Sequence, residues 1–178
     1  GKFSEGSCSV SFNQQCPDVN GLPLPVAGEK PYHAGATLSL FDSDGDGDKD
    51  LVLGDIACNT VEYLHNTGNA SSALITDTTK NYPNYPAKGN TTQIRINNFP
   101  CVYFVDVDGD ARKDLIAAPN VFGSENTKSA WYYHNASTTN TVDFRFVQNN
   151  FLQSDMIEVG QNAFPVLIDY NADGKKDL

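Results

Sequence analysis

The chain alternates short apolar runs with polar stretches that are rich in turn-forming residues. Four-residue apolar runs stand at 38–41, 51–54, 102–105 and 115–118, and each has an aspartate directly beside it. Runs of this length between turn residues are typical of β-strands, since an amphipathic helix needs a longer stretch with a 3.6-residue period. The pattern therefore predicts an all-β fold.

Three acidic segments accompany these runs and recur at a nearly constant spacing. They read DSDGDGDKDLVLGD from Asp42, DVDGDARKDLIAA from Asp106 and DYNADGKKDL from Asp169, so their first aspartates are 64 and 63 residues apart. A second landmark also recurs, because VEYLHN at 61–66 matches AWYYHN at 130–135. A fixed period of this size indicates a repeat architecture.

One repeat reads as an apolar strand, an acidic loop, a second apolar strand, an aromatic strand, a polar linker and a fourth strand. The segments TTQIRI at 91–96 and DFRFVQ at 143–148 are the candidates for the fourth strand. Four short antiparallel strands in about sixty residues predict a β-propeller blade. The predicted organisation is a Pro-rich lead-in with two cysteines at 1–35, blade 1 at 36–100, blade 2 at 101–163 and the start of blade 3 at 164–178.

The acidic loops present oxygen-bearing side chains at positions one, three, five and nine. Alternate residues of a tightly coiled loop can direct their oxygens to one point, and Ca²⁺ accepts six to eight oxygen ligands in a forgiving geometry. The sequence therefore predicts up to three Ca²⁺ sites. The predicted side-chain ligands are Asp42, Asp44, Asp46, Asp50, Asp106, Asp108, Asp110, Asp114, Asp169, Asn171, Asp173 and Asp177, and the predicted carbonyl ligands are Asp48, Arg112 and Lys175.

Two other interpretations of the acidic loops were considered. An EF-hand places a glutamate at position twelve between helices, whereas this position holds Leu53 in the first loop and Ala117 in the second. The loops could also be solvated Asx-turns without a metal. That interpretation must account for several converging carboxylates without a counter-ion, which is electrostatically costly.

The pattern DxDxDGxxDL between two apolar strands resembles the FG-GAP/VCBS repeat of integrin-α-like β-propellers, over roughly residues 36 to 178. The phrases VEYLHNTGN, WYYHNAST and FPVLIDYNADGKKDL are similar to those of bacterial secreted and surface proteins, many of which use the type IX route. The resemblance implies Ca²⁺ in the loop between the first two strands of each blade. Ala111 departs from the glycine usual in the family. Since propellers of this type have more blades, the chain is expected to be part of a longer protein that completes the propeller.

Net charge and cysteine content restrict the environment and the partners. The formal net charge of −10 argues against a nucleic-acid partner, and no apolar run is long enough to span a bilayer. Four scattered cysteines fit an oxidising compartment, so the expected location is extracellular or on the cell surface. The favoured disulfides are Cys8–Cys16 and Cys58–Cys101, and the alternative is four free thiols.

The sequence suggests three functions. The first is a non-catalytic, calcium-stabilised module for adhesion or for binding a protein ligand. The second is a carbohydrate-binding propeller, or the non-catalytic part of a polysaccharide-degrading enzyme, with Tyr82 and Tyr85 as candidate contacts for a surface glycan. The third is an enzyme. It is disfavoured because His65 and His134 occupy matching places in the repeat, and because metal binding already explains the acidic clusters.

Overall fold

The computed structural model describes residues 2–4, 9–11, 35–84, 91–158 and 164–178, which contain strands and turns but no helix. The ten strands are β1 (Lys2–Ser4), β2 (Ser9–Ser11), β3 (Ala36–Phe41), β4 (Asp50–Asp55), β5 (Glu62–Asn66), β6 (Ile75–Thr79), β7 (Pro100–Val105), β8 (Asp114–Pro119), β9 (Trp131–Asn135) and β10 (Phe144–Gln148). The prediction of an all-β fold is confirmed.

Each of the first two repeats forms one four-stranded antiparallel sheet, in which strands that are consecutive in sequence lie side by side. The first sheet has the order β3-β4-β5-β6 and the second has the order β7-β8-β9-β10. The first hairpin pairs Phe41 with Asp50, and the second pairs Val105 with Asp114. The two hairpins therefore have the same register relative to their acidic loops.

One of the two predicted fourth strands is wrong. The second sheet ends with β10 inside the predicted segment 143–148, but the first sheet ends with Ile75–Thr79, and residues 91–96 form no strand. Residues 91–96 nevertheless hold two buried side chains, because Ile94 and Ile96 belong to the hydrophobic core. The alternating apolar side chains of this segment are thus buried in the core, although the segment is not paired as a strand.

The two sheets pack together through a shared core. The buried apolar residues of this core come from both sheets and from the linker: Val52, Val61, Tyr63, Tyr82, Ile94, Ile96, Val102, Leu115, Ala117, Tyr133, Val142 and Phe144. The rings of Phe41 and Phe104 stack with their centroids 4.3 Å apart and an interplanar angle of 10°. Stacked aromatic pairs of this kind contribute beyond their buried area.

Strand β3 approaches β7 closely enough for side chains to bond to its backbone. The hydroxyl of Thr37 donates to the Pro100 carbonyl at 2.8 Å, and the hydroxyl of Ser39 donates to the Val102 carbonyl at 2.7 Å. Gly54 faces the same carbonyl of Pro100, which would lie 1.9 Å from a Cβ at position 54. Only glycine fits there, because any side chain would collide with backbone.

Two further segments belong to this arrangement. The backbone N–H of Val10, in the β1–β2 hairpin, donates to both carboxylate oxygens of Glu62 at 3.1 and 2.9 Å. At the other end of the chain, Ile168 and Asp177 form an antiparallel bridge that encloses the third acidic loop. That bridge has the register of the first two hairpins, since it again joins the residue before position one to position nine.

We expect the shared core to dominate stability. Leu115 in β8 is 0% exposed, whereas Leu38 in β3 is 66% exposed. Leu115→Ala should lower the free energy of unfolding by about 2–5 kcal/mol, because it removes buried methyl groups and leaves a cavity. The matched variant Leu38→Ala should change it by less than about 0.5 kcal/mol. Urea denaturation followed by tryptophan fluorescence measures both, and equal losses would contradict this assignment of the core.

Candidate metal centres

The first acidic loop is coiled around the carboxylate of its first aspartate. The backbone N–H of Gly45 donates to Asp42 Oδ1 at 2.7 Å, and that of Gly47 donates to Asp42 Oδ2 at 3.0 Å. Both glycines have positive φ, of 82° and 96°, which their lack of a Cβ permits. One oxygen from each of Asp42, Asp44 and Asp46 lies within 4.8 Å of the others. Three carboxylates therefore converge on one point.

The second loop repeats these contacts. Asp106 accepts the N–H of Gly109 at 2.7 Å and that of Ala111 at 3.0 Å. Ala111 adopts φ 71°, so it takes the left-handed conformation of Gly47 in spite of its Cβ. The oxygens of Asp106, Asp108 and Asp110 again lie within 4.8 Å of one another. The departure at Ala111 thus leaves the loop geometry intact, although a left-handed non-glycine residue is strained.

The third loop has a similar coil with fewer charges, but Oδ1 of its first aspartate accepts the N–H of position five instead of position four. Asp169 accepts the N–H of Asp173 at 3.0 Å and that of Gly174 at 2.9 Å, and Asp173 accepts the N–H of Lys175 at 2.8 Å. Asn171 Oδ1 occupies the place of the carboxylate oxygens of Asp44 and Asp108, accepting the N–H of Asp173 at 3.0 Å. The spacing predicted from sequence therefore corresponds to one repeated backbone conformation.

The aspartate at position nine ties the loop to the third strand of its sheet. Asp50 is 2% exposed, and it accepts the N–H of Ser43 at 3.0 Å and that of Asn66 at 2.9 Å. Asp114 is 0% exposed, and it accepts the N–H groups of Val107 and Asn135 at 3.1 and 2.8 Å. A buried carboxylate with two amide donors fixes both ends of the loop. In the third loop, Asp177 accepts the N–H of Tyr170 at 3.0 Å.

The repeated His-Asn pair lies against the acidic loops, which the sequence reasoning did not predict. Asn66 Nδ2 donates to the Lys49 carbonyl at 3.2 Å, and Asn135 Nδ2 donates to the Lys113 carbonyl at 3.1 Å. These bonds hold the last residue of each loop. The sequence signal for this contact with the loops is that the two His-Asn pairs occupy equivalent positions in the repeat.

The two histidines contact the loop carboxylates through different ring nitrogens. His65 Nε2 lies 2.8 Å from Asp44 Oδ2, whereas His134 Nδ1 lies 3.2 Å from Asp108 Oδ2 and 3.4 Å from Asp114 Oδ1. Asp108, Asp114 and His134 thus form a further group of ligand atoms within 4.8 Å of one another. The two loops therefore differ in which imidazole nitrogen faces the carboxylates.

Asp48 at position seven lies among the other aspartates of the first loop. Its pKa is raised above the ordinary aspartate value, first by desolvation and then by repulsion from Asp46, Asp42, Asp44 and Asp50. The equivalent residues, Arg112 and Lys175, carry the opposite charge. The side chain of position seven thus varies while the loop conformation is kept, which agrees with a role for its backbone alone.

The aromatic residue predicted as a surface contact is buried. Tyr82 has no exposed surface, and its ring stacks on Tyr63 with the centroids 5.2 Å apart. Burial also raises the pKa of the Tyr82 hydroxyl. The prediction of Tyr82 as a ligand contact is therefore wrong, because the linker folds back into the core. Tyr85 lies outside the described residues.

The predicted Cys58–Cys101 disulfide is also wrong, and the predicted Cys8–Cys16 disulfide stays a prediction. Cys101 is a free, half-buried thiol, so it is not bonded to Cys58. Cys58 is itself disulfide-bonded, which excludes the alternative of four free thiols. Cys8 and Cys16 lie outside the described residues. Spacing could not reveal these states, because disulfide formation depends on distances across the fold.

Comparison of the chain with protein-family models, with curated proteins and with solved structures found no match in any of the three. In the part of the chain that the structure describes, no helix is long and apolar enough to cross a membrane. The class that fold and site define is therefore an all-β repeat protein whose acidic hairpin loops could hold metal ions.

The position-nine aspartates should support folding even without metal. In the presence of EDTA, Asp114→Asn should lower the free energy of unfolding by about 1–3 kcal/mol, because an amide has one acceptor oxygen for two buried N–H donors. Asp108→Asn, at an exposed position of the same loop, is the matched control and should have a smaller effect. Urea denaturation measures the free energy of unfolding of both variants. Equal losses would contradict the role of Asp114 in holding its loop to the third strand.

Charge repulsion at Asp48 should weaken the metal-free fold. A carboxyl whose pKa is raised by folding favours the folded state when protonated, so its destabilising effect grows as pH rises through the folded pKa. Asp48→Lys, which copies the third loop, should therefore raise the melting temperature in EDTA at pH 7. Asp155→Lys, outside the loops, should change it little. A lower melting temperature for Asp48→Lys would contradict this account.

Proposed function

We propose that this chain is a calcium-stabilised β-propeller module of the FG-GAP/VCBS type, belonging to a secreted or cell-surface protein. The observation that carries the proposal is the threefold recurrence of one loop conformation, in which Asp42, Asp106 and Asp169 each accept two backbone N–H groups. Chance acidic turns would not share residue spacing, hydrogen bonds and hairpin register. The four-stranded sheets are the arrangement expected of propeller blades.

The donor set favours Ca²⁺ over other cations. Each of the first two loops directs side-chain oxygens from positions one, three and five to one point, and the position-seven carbonyl and water would complete six or more ligands. Position nine would contribute less freely, since each oxygen of Asp50 and Asp114 accepts one backbone N–H, and Asp114 Oδ2 also accepts the Tyr132 hydroxyl at 3.3 Å. Mg²⁺ suits the loops less well, because it demands a strict octahedron and retains its waters.

Calcium in these loops would act on stability. Three converging carboxylates repel one another when ionised, and a divalent cation between them replaces repulsion by attraction. Because each loop joins the first two strands of its sheet, neutralising it secures the hairpin at that end. An ion that binds only the folded state stabilises it by about 2.7 kcal/mol when its concentration is 100 times the dissociation constant. The millimolar Ca²⁺ outside cells suits weak sites of this kind.

A non-catalytic role in adhesion or ligand display agrees with how the polar groups are used. The carboxylates of the loops accept hydrogen bonds from backbone amides of the same loop. His65 and His134, the two repeated histidines, face loop carboxylates and so belong to the same local network. We therefore assign the clustered ionisable groups to the metal loops, and assign recognition to surfaces that the completed propeller would present.

Calcium removal provides the direct test. EDTA should lower the melting temperature markedly relative to 1 mM Ca²⁺, and calorimetric titration should give three Ca²⁺ per chain with weaker binding of Mg²⁺. Asp46→Ala and Asp110→Ala should each remove one site, because each deletes a converging carboxylate. Asp155→Ala is the matched control outside the loops and should retain all three. An unchanged melting curve in EDTA, or stoichiometry unaffected by the loop variants, would refute the proposal.

A further inference from the structure

The second sheet carries a pocket at the end opposite its acidic loop. Its walls include Pro119 at the end of β8, Trp131 at the start of β9, Asn149 directly after β10, and the connection at 95–97. The volume of the pocket is about 150 Å³. Pockets for drug-sized ligands measure about 300–1,000 Å³. This pocket therefore suits a single small unit, such as one sugar ring.

The wall of the pocket between β8 and β9 is held in place by Gln153. The Oε1 of Gln153 accepts the N–H of Ser129 at 3.1 Å, and its Nε2 donates to the Ser129 hydroxyl at 2.9 Å and to the Asn126 carbonyl at 3.3 Å. Lys128, in the same wall, has a positive φ of 58°. Such strained non-glycine residues persist where contacts enforce them, and they cluster at ligand sites. The pocket is therefore preformed, which lowers the cost of ordering it around a ligand.

Trp131 supplies the aromatic surface of the pocket. Its half-buried ring packs edge-to-face on Phe146 with the centroids 5.5 Å apart, and its Nε1–H donates to the Lys128 carbonyl at 3.2 Å. A tryptophan side chain has one polar group, the indole N–H. Because that group already has a partner, the indole offers the pocket an apolar surface on which the C–H groups of a ring can pack.

The charge of the pocket is opposite to that of the chain. Arg95 and Lys128 line it together with the acidic residue Glu125, whereas the chain has a net charge of −10. Arg95 is exposed because it lies between Ile94 and Ile96, whose buried side chains anchor the connection. Within the described residues, neither Arg95 nor Lys128 forms an ion pair. Two cations without a carboxylate partner favour an anionic ligand, and a guanidinium matches the geometry of a carboxylate.

We propose that this pocket binds one carboxylate-bearing sugar unit, such as a uronate of an acidic polysaccharide. Trp131 packs on the C–H face of the sugar ring, and Arg95 and Lys128 bind its carboxylate. The amides of Asn97 and Asn149 bind its hydroxyls, because an amide offers donors and an acceptor and a hydroxyl can use either. The site gives the proposed ligand display a location, but its residues lie outside the acidic loops.

Other classes of ligand fit this lining less well. A nucleotide carries a base and a phosphate besides its sugar, so it needs a larger volume, and its phosphate would be repelled by Glu125. A purely apolar ligand would desolvate Arg95 and Lys128 without replacing their hydrogen bonds with water. A free amino acid would use one cation and Glu125 and would leave the two amides without a partner. A carboxylated sugar uses all of these groups.

Trp131 is the single tryptophan of the chain, so its fluorescence reports on this pocket directly. Titration with sodium glucuronate should change the emission with a Kd on the order of 1 mM, the range expected for so small a ligand. Glucose, which lacks the carboxylate, should bind about tenfold more weakly, because it loses a charge-assisted hydrogen bond. Acetate, which lacks the ring, should also bind more weakly. All titrations are matched in ionic strength with NaCl.

Arg95→Gln should weaken glucuronate binding about tenfold and leave glucose binding unchanged, since it removes the charge and keeps a polar side chain. The matched control is Arg145→Gln, because Arg145 is exposed, pairs with Asp143 and lies outside the pocket. It should bind glucuronate like the wild type. Lys128→Met removes the other cation and should also weaken glucuronate binding, so the test does not depend on one variant. Circular dichroism confirms that each variant is folded.

The outcomes separate this proposal from simpler sites and from the calcium loops. No response to glucuronate, in fluorescence or in saturation-transfer NMR, overturns the proposal, and an equal response to acetate overturns it by showing an anion site only. Equal affinity for glucose and glucuronate, or unchanged affinity in both cation variants, overturns the assignment of the carboxylate. Glucuronate binding by folded protein in EDTA supports the pocket even if calcium binding fails. Three bound Ca²⁺ without glucuronate binding overturn the pocket alone.

Discussion

A buried carboxylate at position nine of the first two acidic loops is the constraint on which their sheets depend. Asp50 and Asp114 have almost no exposed surface, and each accepts one amide at the start of its loop and another from the third strand. The bonds close the hairpin and attach it to the rest of the sheet. Since a buried charge is costly unless it is hydrogen-bonded, these amides make that position tolerable and specific.

The same arrangement places the remaining carboxylates at the end of the hairpin, where they face one another. Asp42 organises the coil by accepting the amides of Gly45 and Gly47, and the alternation of the chain then turns Asp44 and Asp46 to the same side. The geometry that folds the loop therefore also creates the concentration of charge. The contacts that fold the loop also build the group of carboxylates that could hold a cation.

Packing between the sheets depends on a close backbone approach. Gly54 leaves room for the Pro100 carbonyl, and Phe41 stacks on Phe104 beside it. Thr141 and Val142, in the connection between β9 and β10 of the second sheet, donate to the carbonyls of Asp44 and Ser43 in the first acidic loop. The first loop is thus held by both sheets, so its conformation and the inter-sheet contact support each other.

The sequence by itself determined the first three strands of each sheet, the repeat period and the loop residues, because these follow from local alternation, glycine placement and spacing. Tertiary structure decided the rest. Tyr82 is buried although its linker is polar, residues 91–96 pack without pairing, and Cys101 is a free thiol. Each of these depends on distances between segments far apart in the chain. Local pattern reports which side chains can be buried or bonded, and only the folded chain decides which partner each one meets.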